Sequence, residues 1–168
     1  FQSSVSRLAS KELSDVAMAN MAQIAKDVYG LCETSNDLIQ KKINNGLTVA
    51  RNVLKQYRGI ETGRDKVTWE AVNQATRQTQ TVALPKLTAG GVWLGQNRSL
   101  AIATPIVDEV KHLVGATCTI FQRMNAQGDM LRVATNVEDL DKRRAIGTYI
   151  PAVMPDGTPN PVTAAILK

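Results

Sequence analysis

The longest uninterrupted pattern in the sequence lies in residues 1–57, which contain no proline. Apolar residues recur there mainly at spacings of three, four and seven, which is the period of an amphipathic helix. They are Val5, Leu8, Val16, Ile24, Val28, Leu31, Leu38, Ile39, Ile43, Leu47, Val53 and Leu54. A helix of this length would extend roughly 80 Å at 1.5 Å per residue, far beyond a typical globular helix. Such a helix needs a partner helix or serves as a stalk.

Glycines are the weak points of this segment, because glycine lowers helix stability. Gly30 and Gly46 mark where the helix could bend or end. Two structures fit the pattern: one helix over residues 1–57, or a two-helix hairpin broken near Gly30–Asn36. We therefore divide the chain into an N-terminal helical segment, residues 1–57, and a core, residues 58–168.

A β-hairpin is predicted between Cys118 and Val137. Its turn, Asn-Ala-Gln-Gly at residues 125–128, fits a type I turn followed by a left-handed glycine, which commonly closes hairpins. On the outgoing strand one face is nearly all apolar, while the other carries Arg132 and Asn136. This fits either a core face with a solvated face, or a core face with a polar pocket that presents an arginine.

Shorter elements are predicted on both sides of the hairpin. Strands are expected at residues 67–73, 80–84 and 145–151, with Pro85 ending the second, and loops at residues 57–65 and 138–144. Thr104-Pro105 and Asn160-Pro161 each combine a capping side chain with proline at the first helical position, and so predict helix starts. Gly115 predicts the end of the first of these helices.

The charge does not predict a nucleic-acid-binding protein. The net charge is +5 and the pI about 9.4, but the basic residues are scattered. Lys142-Arg143-Arg144 is the longest basic run, and aromatic residues make up 4% of the chain, so there is no basic and aromatic platform for single strands. A mildly basic surface instead favours the approach of anions.

The sequence offers no catalytic or metal-binding pattern, so we expect neither an enzyme nor a metal site. His112 is the one histidine, and its position near a predicted helix end indicates a surface residue. Cys32 and Cys118 are predicted to be free, buried thiols. No C-x-x-C-H motif is present, so we expect no covalent haem and no other cofactor.

Several segments resemble the extracytoplasmic Cache sensor domain of bacterial methyl-accepting chemotaxis receptors, in its single-Cache form described as a Cache 3/Cache 2 fusion. The segments are TIFQRMNAQGDMLRVATNV (119–137), RAIGTYIPA (144–152), DGTPNPV (156–162), LPKLTAGGVWLGQN (84–97) and VDEVKHLVG (107–115). The resemblance covers residues 67–168 closely and the N-terminal helix loosely.

The resemblance implies an α+β fold in which one long N-terminal helix packs on a PAS-like antiparallel sheet. The last strands of the family domain are expected to be missing from this chain. A periplasmic sensor is implied, anchored by a transmembrane helix on each side and paired as a homodimer through the N-terminal helix. No stretch here approaches the roughly 20 apolar residues of a membrane span, so those helices are expected outside the sequence.

The expected ligand is a small carboxylate or amino acid, because Arg132 or Arg123 could form a bidentate, charge-assisted pair with it. Trp93, Phe121 and Tyr149 are candidate pocket walls, and Thr119 and Thr135 are candidate hydroxyl partners. Ligand binding would favour one arrangement of the sheet against the helix, which carries the displacement to the membrane. Two alternatives stay open: a ligand-free dimerisation or structural module, and the same sensor on a histidine kinase or cyclase.

Overall fold

A computed structural model describes the backbone of residues 2–167 and the side chains of residues 7–167. The chain forms two compact units, residues 1–45 and residues 46–168. Helix α1 (Gln2–Gln56) is continuous, forms the first unit and supplies the first element of the second. The prediction of one long helix is therefore confirmed, and the alternative with a break near Gly30–Asn36 is wrong. Within residues 2–167, no helix has both the length and the apolar content needed to cross a membrane.

In the first unit, large apolar side chains of α1 are exposed. They are Leu8, Leu13, Val16, Met18, Met21, Ile24, Val28, Leu31, Leu38, Ile39 and Ile43, with 49–73% of their surface accessible. Met21, Ile24, Val28 and Leu31 follow one another at spacings of three and four, the repeat of a helix-pairing seam. The described side chains of this unit therefore form an exposed apolar stripe at helical spacing.

Within the described residues, the second unit is built on a sheet of six strands in the order β3-β2-β1-β6-β5-β4. The strands are β1 (Glu61–Asn73), β2 (Thr79–Ala89), β3 (Val92–Trp93), β4 (Thr119–Arg123), β5 (Met130–Thr135) and β6 (Thr148–Ile150), with helices α2 (Val107–Val114) and α3 (Pro161–Ile166). This confirms the α+β class with a long N-terminal helix. The sheet is mixed rather than wholly antiparallel, because β1 and β6 pair in parallel. Further strands after residue 167 stay a prediction.

Strands β1 and β2 are longer than the sequence pattern predicts. β1 begins at Glu61, inside the predicted loop, and β2 continues through Pro85 to Ala89. Pro85 pairs with Lys66, next to an irregularity in the register between Thr62 and Lys66. Proline is tolerated in a strand at such an irregularity, because its missing N–H interrupts no regular ladder there. The proline therefore marks a distortion of β2 and not its end.

Helix α2 begins at Val107 and not at Pro105. Ile106 occupies the cap position with φ 69°, and no side chain caps the helix. The Asp108 carboxylate accepts the N–H of Thr104 at 2.7 Å. The predicted cap would instead have the Thr104 side chain accept an N–H of the first turn. The predicted end is confirmed, since Gly115 is left-handed at φ 65°. The predicted cap of α3 is also confirmed: Asn160 accepts the N–H of Val162 at 3.0 Å.

Apolar clusters bury both faces of β5. One contains Trp69, Ala71, Leu84, Met124, Leu131, Val133, Ile146 and Tyr149. The other contains Val53, Ala89, Leu94, Ile106, Val107, Val110 and Ala134, and so joins the sheet to α2 and to the end of α1. Val133 and Ala134 are neighbours in β5 and belong to different clusters, so neither face of this strand is wholly solvated.

The thiols of Cys32 and Cys118 are both free. Cys118 is half-buried beside the second cluster, but Cys32 is exposed on α1. The expectation of a buried thiol is therefore wrong for Cys32, because the first unit offers its helix no covering layer.

Candidate functional site

An open cavity of about 670 Å³ lies beside β5 and β6, and Arg132 is one of its walls. The cavity is lined by Gln74, Arg77, Arg132, Glu138, Asp139, Leu140, Asp141, Ala145 and Thr148. Arg132 pairs with Phe121 across β4 and β5, and its guanidinium lies 5.6 Å from the centre of the Phe121 ring. We call this site the Arg132 cavity.

The Arg132 guanidinium is only partly satisfied. Its Nη1 donates to the Ala145 carbonyl at 3.2 Å, while its Nε is buried and has no hydrogen-bond partner among the described residues. Within residues 7–167, no carboxylate forms an ion pair with it. Burial lowers the pKa of the Arg132 side chain below its usual value. A partly desolvated guanidinium that has no paired carboxylate favours the binding of an anionic ligand.

The remaining walls of the cavity supply polar groups. Gln74 Nε2 donates to Thr148 Oγ1 at 3.2 Å, and Arg77 lies in the turn between β1 and β2 with φ 63°. Acidic side chains of segment 138–141 are engaged with cations, as in the pair of Asp139 with Arg143 at 3.5 Å. The N–H of Arg143 is the main cause that lowers the pKa of Asp139. Arg132 thus differs from these acidic side chains, because it is partly buried and no ion pair joins it to a carboxylate among the described residues.

The predicted threonines satisfy each other. The Oγ1 atoms of Thr119 and Thr135 lie 2.7 Å apart. The Thr135 hydroxyl also bonds the Cys118 carbonyl at 3.2 Å and the N–H of Val137 at 3.1 Å, and the residue is completely buried. These hydroxyls stabilise the β4–β5 pair from inside.

Arg123, Tyr149 and Trp93 lie away from the Arg132 cavity. Arg123 donates to the carbonyls of Asn125 at 3.0 Å and Ala126 at 2.5 Å, so it closes the hairpin turn. Tyr149 is buried, and its hydroxyl accepts from Asn73 Nδ2 at 3.0 Å. The structure thus brings Arg132 and Phe121 together and places the other predicted residues at different positions.

Trp93 lines a separate crevice that has no room for a water molecule. Its ring lies 5.4 Å from the Lys86 ammonium, a cation–π contact. The Nε1 of Trp69, in the same crevice, is buried without a hydrogen-bond partner among the described residues. This crevice is too narrow to hold a ligand in the present conformation.

Arg144 is the important residue that the sequence pattern did not single out. It falls at the end of the predicted charged loop, yet it is 1% exposed. Its five N–H groups all have acceptors: Asp108 Oδ1 and Oδ2 at 2.7 Å each, and the carbonyls of Ser99, Ile102 and Thr135 at 3.0, 2.9 and 2.9 Å. The available signal was its place at the start of the segment 144–152, but nothing local distinguishes it from Arg143.

Asp108 is the anion of this buried centre. Burial acts to raise its pKa, but the hydrogen bonds from Arg144 and Thr104, with the charge of Arg144, outweigh burial and lower the pKa overall. A second open cavity of about 460 Å³ borders the pair, and exposed His112 lies on its wall. Across the described part of the chain, no three His, Cys, Asp or Glu side chains are grouped to hold a metal ion.

Comparison with known protein families gives a match over nearly the whole chain. A family model described as the Cache 3/Cache 2 fusion domain matches residues 6–168. No curated protein and no solved structure matches the chain. The matched range includes nearly all of α1 as well as the sheet unit, so both units are parts of one recognised domain type.

Proposed function

Because the chain belongs to the Cache 3/Cache 2 fusion family of small-molecule-binding sensor domains, we propose that it is the ligand-binding input domain of a bacterial transmembrane chemotaxis receptor. In this proposal the domain lies outside the cytoplasm, in the periplasm, and membrane helices anchor the parent protein. Attachment to a histidine kinase or cyclase would leave the binding site unchanged, because the output domain would be a separate part of the parent protein.

The proposed ligand is a small carboxylate, or an amino acid bound through its carboxylate, in the Arg132 cavity. The observation that carries this proposal is the Arg132 guanidinium, which has one carbonyl partner and an unpaired, buried Nε. A carboxylate can engage two N–H groups of a guanidinium at once, which a single carbonyl cannot do. The cavity is large enough for such a molecule.

The energetics favour an anion over a neutral molecule of the same shape. A buried donor without a partner costs about 1–3 kcal/mol, and an acceptor from the ligand removes part of that cost. We propose that the guanidinium turns on binding, because its unpaired Nε is buried in the ligand-free protein. That turn would shift the populations of two conformations, as signalling requires.

A panel of matched compounds tests this proposal. Melting temperatures are measured with acetate, propionate, pyruvate, succinate and alanine, and with the neutral analogues acetamide and propionamide. We expect a concentration-dependent rise for at least one carboxylate and none for its amide. Arg132→Gln should abolish the rise, and Arg123→Gln should keep it, because Arg123 is engaged by the hairpin turn. Equal binding by both variants would refute the assignment of Arg132, and no response to any compound would favour the ligand-free structural module.

We also propose that the domain pairs as a homodimer through α1 of the first unit. Support comes from the exposed apolar residues at helical spacing, among them Ile24, Val28 and Leu31. Pairing of two helices removes such an apolar seam from water, which favours association. Sedimentation velocity should show a dimer that Leu31→Glu dissociates, whereas Lys41→Glu, on a polar position of the same helix, should not. A monomer at all concentrations would contradict this assembly.

A further inference from the structure

The segment after Arg144 holds Arg132 in two ways. The N–H of Gly147 donates to the backbone carbonyl of Arg132 at 2.9 Å. The carbonyl of Ala145 accepts from Arg132 Nη1 at 3.2 Å. Both the backbone and the guanidinium of Arg132 therefore depend on where residues 145–147 lie.

The side chain of Arg144 fixes the start of the same segment. Its bonds to Asp108, to the carbonyls of Ser99 and Ile102, and to Thr135 join α2, the preceding loop and β5. Its backbone N–H also donates to the Arg98 carbonyl at 2.9 Å. Because Arg144 and Ala145 are adjacent, a shift of the Arg144 side chain moves the carbonyl that Arg132 contacts.

Asp108 extends this chain of contacts into α2. Its neighbours Val107 and Val110 are 0% and 1% exposed, and they share an apolar cluster with Val53 of α1. Close packing in such a cluster transmits displacements because it leaves little free volume. The contacts thus run without a gap from the Arg132 cavity through Arg144 and Asp108 to the last turns of α1.

We infer that Arg144 and Asp108 are a positioning pair for the Arg132 cavity: they set the orientation of Arg132 through Ala145 and link it to α2. Neither residue is a ligand contact in this assignment. The effect on ligand affinity rests on the proposed function, whereas the effect on Arg132 itself does not. Coupling is measured directly, as the response of Arg132 to a change at Asp108.

The Nε–H signal of Arg132 in ¹⁵N–¹H NMR spectra reports its orientation without any ligand, and loss of that signal in Arg132→Lys assigns it. We expect Asp108→Asn to shift this signal, although Asp108 is paired with Arg144 and Arg132 is bonded to the Ala145 carbonyl. Leu84→Ala is the matched control, because it removes packing from the other apolar cluster and so destabilises the domain without touching the pair. Asp108→Glu, which keeps the charge, should restore part of the wild-type signal and decides the question if Asp108→Asn does not fold.

Titration with sodium acetate, against sodium chloride at equal ionic strength, gives the second measurement. Asp108→Asn should weaken acetate binding about tenfold, within the range of coupling seen for residues of one hydrogen-bond network. An unshifted Arg132 signal in Asp108→Asn, or an equal shift in Leu84→Ala, would overturn the inference. If wild-type protein binds no acetate, that bears on the proposed function, and the NMR comparison still decides the positioning role.

Discussion

Arg144 and Arg132 lie close together in the fold, yet they are surrounded in opposite ways. Arg144 is fully buried, and every N–H of its guanidinium has an acceptor, including both oxygens of Asp108. Arg132 borders an open cavity, contacts one carbonyl and has an unpaired Nε. The deeper arginine therefore belongs to the framework, and the shallower one has donors left for a ligand.

This difference shows that burial by itself does not identify a binding arginine. A buried guanidinium is tolerated when its donors are satisfied and its charge is paired. In the proposed function, what distinguishes Arg132 is an unused donor on a side chain that borders a cavity. Substitutions in the two regions should accordingly differ in their main effect. At the Arg144 centre they should lower stability and change binding only through the orientation of Arg132, whereas at the Arg132 cavity they should remove binding.

The largest loss of stability is expected for Asp108→Asn. It should lower the free energy of unfolding by about 3 kcal/mol, because the Arg144 charge stays buried without its anion. Urea denaturation measures this loss as a lower midpoint at unchanged slope. Asp141→Asn is the control, since Asp141 pairs with Arg143 at the surface and should change stability by less than about 0.5 kcal/mol. Equal losses of unfolding free energy in the two variants would mean that the buried Arg144–Asp108 pair contributes no more to stability than a surface ion pair.

Acid should remove the same stabilisation from the wild-type protein. The folded-state pKa of Asp108 is lowered, so its contribution is present above the unfolded-state pKa, about 3.9, and is lost as pH falls through the folded-state value. The stability difference between wild type and Asp108→Asn should therefore be constant from pH 7 to about pH 5 and shrink below about pH 4. A difference that grows in acid would contradict the lowered pKa.

A smaller loss is expected for Thr135→Val. The substitution removes a buried hydroxyl that bonds Thr119, the Cys118 carbonyl and the Val137 N–H, at a cost of about 1–2 kcal/mol. Acetate affinity should stay at the wild-type value, because this hydroxyl is engaged within the β4–β5 pair. Loss of affinity with unchanged stability would move Thr135 from the framework to the binding site.

The smallest change in stability is expected for Arg132→Met. Methionine removes an unpaired donor and keeps an unbranched side chain against Phe121, so stability should stay equal or rise by up to about 1 kcal/mol. Carboxylate binding should be lost in the same variant. A stability loss above about 2 kcal/mol would place Arg132 in the framework and remove the contrast with Arg144.

Local signals predicted much of this fold from the sequence. The period of α1, the hairpin turn with Gly128 at φ 99°, the left-handed Gly115 and the cap at Asn160 all depend on a few adjacent residues. The family resemblance supplied the architecture that these local patterns leave open. Pro85 misled because a register irregularity, which depends on the partner strand, decides whether a proline ends a strand.

The site was less predictable, because it depends on distant partners. Arg123 and Arg132 look alike in the sequence, and only the carbonyls at the hairpin turn separate them. Arg144 is buried by Asp108, which lies 36 residues away in the chain, so its role has no local signature. The sequence named both arginines as candidates, and the three-dimensional contacts show which of the two keeps a free donor.

The parallel pairing of β6 with β1 has a consequence for how the domain assembles. The β1–β2 and β4–β5 pairs are antiparallel hairpin-type pairs from neighbouring segments, whereas β6 joins β1 to β5 across a long separation, as in the pairing of Val72 with Thr148. Closing a loop over such a distance costs conformational entropy before the stabilising contacts of β6 form, which slows folding. We expect the two hairpins to form early and the three-residue strand β6 to pair last, between β1 and β5. During synthesis, the edges of β1 and β5 that β6 covers would stay unpaired until residue 150 has left the ribosome.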